Sequence, residues 1–313
     1  MSDVSADPGS MLLRAGYVFA LLSAVCYGSI TTFASLAYGA GLEVEHLVIS
    51  RGVIVSVICF GLAVLGGQSL SLGQVRPLQL VGLALAFVAT AFCQLGAVQY
   101  ISVGMTVILF FTFPLFVTLH DMLTGRLLPG SRLLLAPVIA LVGIAIATGP
   151  GTDGMPDLIG VALALLAAMA MAASIVLAQR CMATASVFGL GLAGNLLASV
   201  LGLGLWVISG QAHLPVFAPG QTSLGLATMS AVGCLFGFGI IFQFQSIRRI
   251  GSTPTSMTLN FEPVVTLGVA AVLIGEPLTP ARLLGGGLII LSVIVSSRAH
   301  RQPVNTVNTR ISS

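Results

Sequence analysis

Long apolar stretches separated by short polar segments run along the whole chain. Each apolar stretch approaches or exceeds about 20 residues, the length that an α-helix needs to cross about 30 Å of hydrocarbon. The pattern therefore predicts an all-α polytopic membrane protein, with no room between its helices for a soluble catalytic domain. The ten predicted transmembrane helices lie near residues 14–37, 45–66, 77–98, 104–124, 132–149, 158–180, 186–208, 222–246, 252–275 and 281–298.

The composition agrees with this prediction. Hydrophobic residues make up 57% of the chain and charged residues 7%, whereas about a quarter of a soluble domain is charged. The five cysteines stand singly, without paired spacing or a histidine cluster, so we expect no metal and no other cofactor. The expected partners are the lipid bilayer and a small-molecule substrate, not nucleic acid. The sequence is also compatible with a homodimer.

Arginine positions predict the orientation, because the sequence contains twelve arginines and no lysine. Ten arginines fall in the amino-terminal segment, the even-numbered loops or the carboxyl-terminal segment. The other side receives only Arg51 and Arg282, each slightly inside a helix. By the positive-inside rule, both termini lie in the cytoplasm and the number of spans is even. We expect a multi-pass protein of a bacterial cytoplasmic membrane.

An internal repeat divides the chain into two halves. Gln94 pairs with Gln243, and Pro114 with Pro263, at the same offset of 149 residues. Since five spans in each half is an odd number, the second half enters the membrane from the opposite side, which gives the inverted repeat of many secondary transporters. The predicted organisation is a cytoplasmic leader 1–13, a first repeat 14–149, an external linker 150–157, a second repeat 158–298 and a disordered cytoplasmic tail 299–313.

The run "NFEPVVTLGVAAVLIGEPLTPARLLGGGLIILSVIV" from Asn260 resembles the second EamA-type repeat of the drug/metabolite transporter superfamily. Its marks are a central proline, then Gly-Glu-Pro-Leu-Thr, then a glycine-rich last helix. "SVGMTVILFFTFPLF", which contains Pro114, resembles the first repeat. The resemblance implies ten helices in two inverted halves that carry small metabolites, often as exporters coupled to protons or to exchange. Arg126 stands where the family often repeats a glutamate, which favours a structural or topological role for Glu276.

Glu262 is the deepest ionisable residue of the predicted helices. An ionised side chain at a helix centre costs about 2.5–3.5 kcal/mol on insertion scales, so such groups face the bundle interior or a wet cavity. Pro263 has no N–H for the Leu259 carbonyl, and can kink the helix. Asn260 and Glu262 are therefore predicted to bind substrate or protons. The alternative is that Glu262 only pairs with another helix; for Pro114, a kink without chemistry is expected.

Four further residues are candidates for the same site. Arg51 can clamp a substrate carboxylate or pair with Glu262, or it can extend to the outer headgroups. Gln94, Gln243 and Asn195 can line a cavity or hydrogen-bond between helices. Both interpretations stay open for each of these residues.

His120 and Asp121, near the predicted cytoplasmic end of a helix, are candidates for a gate or a proton exit. The alternative is an interfacial polar pair. Because adjacent residues diverge by about 100° on a helix, the two side chains are not expected to form a ready dyad.

These features predict a secondary transporter of small organic metabolites such as amino acids, with proton coupling through Glu262. The resemblance implies export rather than uptake, whereas the residues themselves leave the direction open. The sequence contains no HExxH or GxSxG motif and no pair of intramembrane aspartates, so no enzyme is expected. The alternative function is that of a non-transporting sensor or assembly subunit with the same fold.

Overall fold

The computed structural model describes residues 8–127, 135–149, 157–275 and 277–300. Glu276, Arg132, most of the predicted linker and most of the predicted leader and tail lie outside the described residues. Every regular element in the described part is an α-helix. The helices are α1 (Pro8–Gly39), α2 (Val44–Leu65), α3 (Pro77–Ala97), α4 (Val103–Phe110), α5 (Phe113–Leu123), α6 (Leu135–Thr148), α7 (Leu158–Cys181), α8 (Val187–Ile208), α9 (Thr222–Ile250), α10 (Ser252–Leu259), α11 (Glu262–Leu273) and α12 (Pro280–His300).

Within the described ranges, nine helical segments are long and apolar enough to cross a membrane when α4–α5 and α10–α11 are each taken as one span. The predicted span 132–149 is described only as α6, which has 14 residues. An all-helical membrane protein is therefore what the structure shows, and the tenth span stays a prediction.

Two of the predicted helices are interrupted. The first breaks at Phe111–Thr112 between α4 and α5, and the second breaks at Asn260–Phe261 between α10 and α11. Pro114 and Pro263 are each the second residue of the following helix, where a missing N–H breaks no helical hydrogen bond. The two breaks keep the 149-residue offset. At both places the predicted kink is a complete interruption between two shorter helices.

Helices α2 and α8 pack against each other about an internal pseudo-two-fold axis. The Ser56 hydroxyl, which bonds the Gly52 carbonyl of its own helix at 2.8 Å, shares its proton with the Leu192 carbonyl at 3.2 Å. The Ser199 hydroxyl donates to the Ile49 carbonyl, also at 3.2 Å. Donors and acceptors are related by one offset of 143 residues. Numbers rise along α8 as they fall along α2, so these equivalent helices are antiparallel, as an inverted repeat requires.

The same symmetry relates contacts elsewhere in the bundle. Gly16 of α1 packs against Ile250 of α9, and its counterpart Gly160 of α7 packs against Ile101 of α3. Each of these helices thus has its main partner in the other half. The two repeats interlock along their length, which places the pseudo-two-fold axis between α2, α3, α8 and α9.

Gly285 allows α12 to approach α6, and its replacement is expected to separate them. A Cβ at Gly285 would meet the Gly143 carbonyl and would lie 2.7 Å from both the Cβ and the backbone nitrogen of Ala147. Backbone cannot move aside as a side chain can, so we expect Gly285→Ala to destabilise the protein by about 1–3 kcal/mol. The measurement is the melting temperature in detergent.

Gly287→Ala is the matched control on the same helix, since a Cβ there has no neighbour within 4 Å. It should leave the melting temperature unchanged or raise it slightly, because alanine is the better helix former. Equal melting temperatures for the two variants would show that α6 and α12 do not approach in this way.

Candidate functional site

A cleft lies between α2, α3, α8 and α9, on the pseudo-two-fold axis. Its cavity volume is about 20 Å³, little more than the roughly 10–15 Å³ that one water needs, so the cleft is narrow in this conformation. Two of its residues, Phe87 and Phe236, are equivalents at the 149-residue offset. The lining consists of Val48, Arg51, Gly52, Phe87, Val88, Asn195, Ala198, Ser199 and Phe236.

Arg51 points into the bundle. Its guanidinium carbon lies 4.3 Å from the centre of the Phe236 ring, an attractive cation–π geometry. The Phe236 ring contacts Tyr27, with ring centres 5.7 Å apart, and the Tyr27 hydroxyl donates to Oε1 of Gln243 at 2.7 Å. The structure therefore places Arg51 in the cleft wall and links it through two aromatic rings to Gln243.

The two remaining amide candidates have different positions. Asn195 lines the cleft and is 2% exposed, and its Nδ2 donates to the Gly191 carbonyl one turn earlier in α8. Gln94 is half-buried in α3 and is not part of the cleft lining. The structure thus brings Arg51 and Asn195 together and leaves Gln94 apart from them.

Glu262 is half-buried at the first position of α11. Within the described part of the chain, its carboxylate makes no hydrogen bond or ion pair, so no partner locks it to another helix there. Its backbone packs tightly on α1, because a Cβ at Gly28 would lie 2.6 Å from the Glu262 carbonyl. Glu262 is outside the cleft lining, but its contact with Gly28 adjoins Tyr27, whose ring contacts the Phe236 ring beside Arg51.

Asn260, at the end of α10, is buried with an unsatisfied polar atom. It is 1% exposed, and its Oδ1 has no hydrogen-bond partner among the described residues. Burying an amide oxygen without a partner costs free energy. The backbone N–H groups of Val264 and Val265 both donate to the Phe261 carbonyl. The break between α10 and α11 thus leaves Oδ1 of Asn260 as an acceptor that a ligand or a water can use.

Asp121 of α5 joins the two halves at the predicted cytoplasmic end. It is 5% exposed, and its Oδ2 accepts hydrogen bonds from the hydroxyls of Ser252, at 2.5 Å, and Thr253, at 2.6 Å. Both hydroxyls belong to the first turn of α10, whose positive dipole end favours a carboxylate. Arg126 lies 3.9 Å from Oδ1. We call Asp121, Ser252 and Thr253 the Asp121 network.

The expectation that His120 and Asp121 do not form a dyad is wrong. His120 Nδ1 lies 3.1 Å from Asp121 Oδ1, and Arg180 donates to His120 Nε2 at 3.1 Å. Since arginine only donates, Nε2 accepts and Nδ1 carries the proton that faces the carboxylate. The two Cβ atoms diverge, but the residues are adjacent, so the imidazole of His120 can turn to the short side chain of Asp121.

The opposite, predicted external end has its own polar cluster. The backbone N–H of Glu43 donates to His46 Nδ1, and His46 Nε2 donates to the His213 carbonyl. His213 Nε2 lies 3.1 Å from the Glu43 carboxylate. Its hydrogen bond to the Leu214 carbonyl, with the nearby Glu43 charge, raises the pKa of His213. This cluster holds the segment before α9 against the start of α2.

Several residues of these sites were absent from the sequence predictions. Phe87 and Phe236 share the repeat offset, so the comparison of the two halves contains a signal for them. Ser252 and Thr253 have no sequence signal, because they meet Asp121 across more than a hundred residues. The aromatic residues near the first break pack on one another in the core and not along the cleft: Phe110, Phe111 and Phe113.

Comparisons with known proteins agree with this architecture. The sequence matches the EamA-like transporter family over residues 14–149 and again over residues 158–298. No curated protein matches it. One solved structure, described as a crystal structure of a protein, is similar with a TM-score of 0.76 and 15% identity, covering 92% of this chain and 98% of that one. At that identity the likeness shows the fold alone. The chain belongs to the EamA-like transporter family and is a multi-pass membrane transporter of the drug/metabolite transporter superfamily.

Proposed function

We propose that this protein carries small organic solutes across the cytoplasmic membrane of a bacterium by alternating access. The observation that carries the proposal is the cleft on the pseudo-two-fold axis, which is lined by equivalent helices of both halves. Rocking of one half against the other exposes such a site to each side of the membrane in turn. The cleft lining reaches Val48 and Arg51, among the first eight residues of α2, at the predicted external end.

The Asp121 network serves as the cytoplasmic gate of this proposal. It closes the end of the bundle opposite the cleft by joining α5 of the first half to α10 of the second half. Both helices adjoin one of the two breaks, and interrupted helices can pivot there. Because the Asp121 network is closed and the cleft is narrow, transport in this proposal requires the network to part and the cleft to widen.

In this proposal Glu262 couples transport to protons. The solute moves out of the cell, so the protein is an exporter. The Glu262 carboxyl is half-buried and makes no ion pair with any described side chain, so it can gain and lose a proton without breaking one. Its contact region with α1 adjoins Tyr27, which leads to the cleft. Both termini are cytoplasmic in this proposal, as the arginine distribution favours.

Reconstitution into proteoliposomes tests the proposal. Vesicles loaded with a panel of radiolabelled amino acids, nucleosides and sugars should release at least one solute several-fold faster than protein-free vesicles. The same unlabelled solute outside should accelerate the release by exchange. Absence of flux and exchange across the whole panel would contradict transport and favour the sensor or assembly role.

A further inference from the structure

The cleft has one charged group, and that group is positive. Arg51 is the only ionisable residue among those that line it. The acidic residues that the structure describes all lie outside the lining: Glu43, Glu45, Asp121, Asp157 and Glu262. A cationic group of a solute therefore finds no carboxylate in the cleft wall, whereas an anionic group finds a guanidinium.

The guanidinium of Arg51 has unused hydrogen-bond donors. In the described part of the chain, it stacks on the face of the Phe236 ring, and no carboxylate or carbonyl accepts a hydrogen bond from it. A guanidinium presents five N–H donors in a planar fork. Stacking on Phe236 orients this fork without using any donor, so two parallel N–H groups stay available for a carboxylate.

The remaining walls suit an apolar body. Phe87 and Phe236 stand at equivalent positions of the two halves, and Val48 and Val88 complete an apolar surface beside them. Flat aromatic or short aliphatic groups bury their surface between such side chains. Ser199 already donates its hydroxyl proton to the Ile49 carbonyl, so the second N–H and the Oδ1 of Asn195 are the polar groups that the α8 wall offers a solute.

We infer that the cleft, when the two halves move apart and widen it, binds small organic monocarboxylates, with the carboxylate on the fork of Arg51 and an aromatic or short aliphatic body between Phe87 and Phe236. This inference rests on the proposed transport function and narrows its range of solutes. It also means that an α-ammonium group finds no carboxylate partner in the cleft wall. Amino acids should therefore bind no better than the corresponding acids without the amino group.

A matched series of probes tests the inference on the purified full chain in detergent. Phenylacetate, phenylacetamide, phenethylamine and phenylalanine differ in charge but keep the same ring, and butyrate, butyramide and butylamine repeat the comparison without it. Phenylacetate and butyrate should raise the melting temperature in a concentration-dependent way. Their amides and amines should bind at least tenfold more weakly, and phenylalanine should bind no better than phenylacetate.

Variants of Arg51 identify the group responsible. Arg51→Gln should weaken carboxylate binding about ten- to a hundred-fold, because it removes a charge-assisted hydrogen-bonded pair. Arg51→Lys keeps the charge without the fork, and should retain part of the binding. Arg248→Gln, which changes an exposed arginine on α9, should bind like the wild type. If Arg51→Gln does not fold, Arg51→Lys is compared with the wild type instead. Weaker carboxylate binding by Arg51→Lys supports the inference, and equal binding overturns it.

Equal binding of carboxylates and amides, or unchanged carboxylate binding by a folded Arg51→Gln protein, would overturn this inference. If the solute panel is nevertheless transported by proteoliposomes, only the solute class is wrong and the transport function stands. If neither binding nor flux is found for any solute, the transport function itself has failed.

Discussion

Replacing Glu262 with glutamine is expected to abolish proton-driven accumulation while solute exchange at equal pH continues. One pH unit corresponds to 1.36 kcal/mol, or about a tenfold concentration ratio for one proton per solute. Glutamine has almost the same shape but cannot carry a proton on and off. Because the Glu262 carboxylate holds no described side chain in place, the substitution should leave the bundle folded.

Proteoliposomes with an imposed pH gradient measure this effect directly. Wild-type vesicles should approach a tenfold solute ratio per pH unit, and Glu262→Gln vesicles should stay near a ratio of one. Glu45→Gln is the matched control, since Glu45 lies in the first turn of α2, away from the helix break. A Glu262→Gln protein that still accumulates solute as the wild type does would exclude Glu262 from coupling.

Asp121→Ala is expected to open the predicted cytoplasmic end and to lower stability. The change leaves the hydroxyls of Ser252 and Thr253, which are 1% and 3% exposed, without their common acceptor. Each buried donor that loses its partner costs about 1–3 kcal/mol, so we expect a total loss of about 2–6 kcal/mol. His120 and Arg126 are partly exposed and can turn to water, which reduces the loss from their charges.

Thiol labelling of Cys181 distinguishes an opened gate from a purely local loss. Cys181 is 1% exposed at the end of α7, beside the residues that contact His120 and Ser252. In a protein with the other four cysteines replaced by alanine, Asp121→Ala should raise the labelling rate of Cys181 at least tenfold. Asp157→Asn, at the opposite end of α7, should not. An unchanged labelling rate together with an unchanged melting temperature would contradict the gate.

The helices and their interruptions follow from local features of the sequence. The length of apolar stretches predicted the spans, and the prolines at 114 and 263 marked both breaks to within three residues. These signals are local. In hydrocarbon, a single spanning segment satisfies its backbone hydrogen bonds only as a helix, and a proline affects only its own turn of that helix. That Pro114 and Pro263 begin new helices was not predictable, since a kink and a break share the same residue pattern.

The partners of the polar residues could not be predicted. Tyr27 meets Gln243 across 216 residues, and Ser252 meets Asp121 across 131. Such contacts depend on how helices rotate about their axes, which apolar sequences specify weakly. The choice for Arg51 between the headgroups and the interior was decided by Phe236, whose ring lies under the guanidinium. The repeat offset predicted which residues are equivalent, but not which of them face the axis.

The offset between α2 and α8 pairs Arg51 with Gly194, and the offset at the breaks pairs Glu262 with Phe113. A dimer of two identical halves copies every residue to the opposite wall, so it would carry two facing guanidinium groups or none. Like charges across one small cleft repel each other. Fusing a duplicated gene into one chain removes this constraint, because each copy can then lose a charge that the other retains. The fused chain can thereby hold a single positive charge beside an axis where a symmetric ancestor could not.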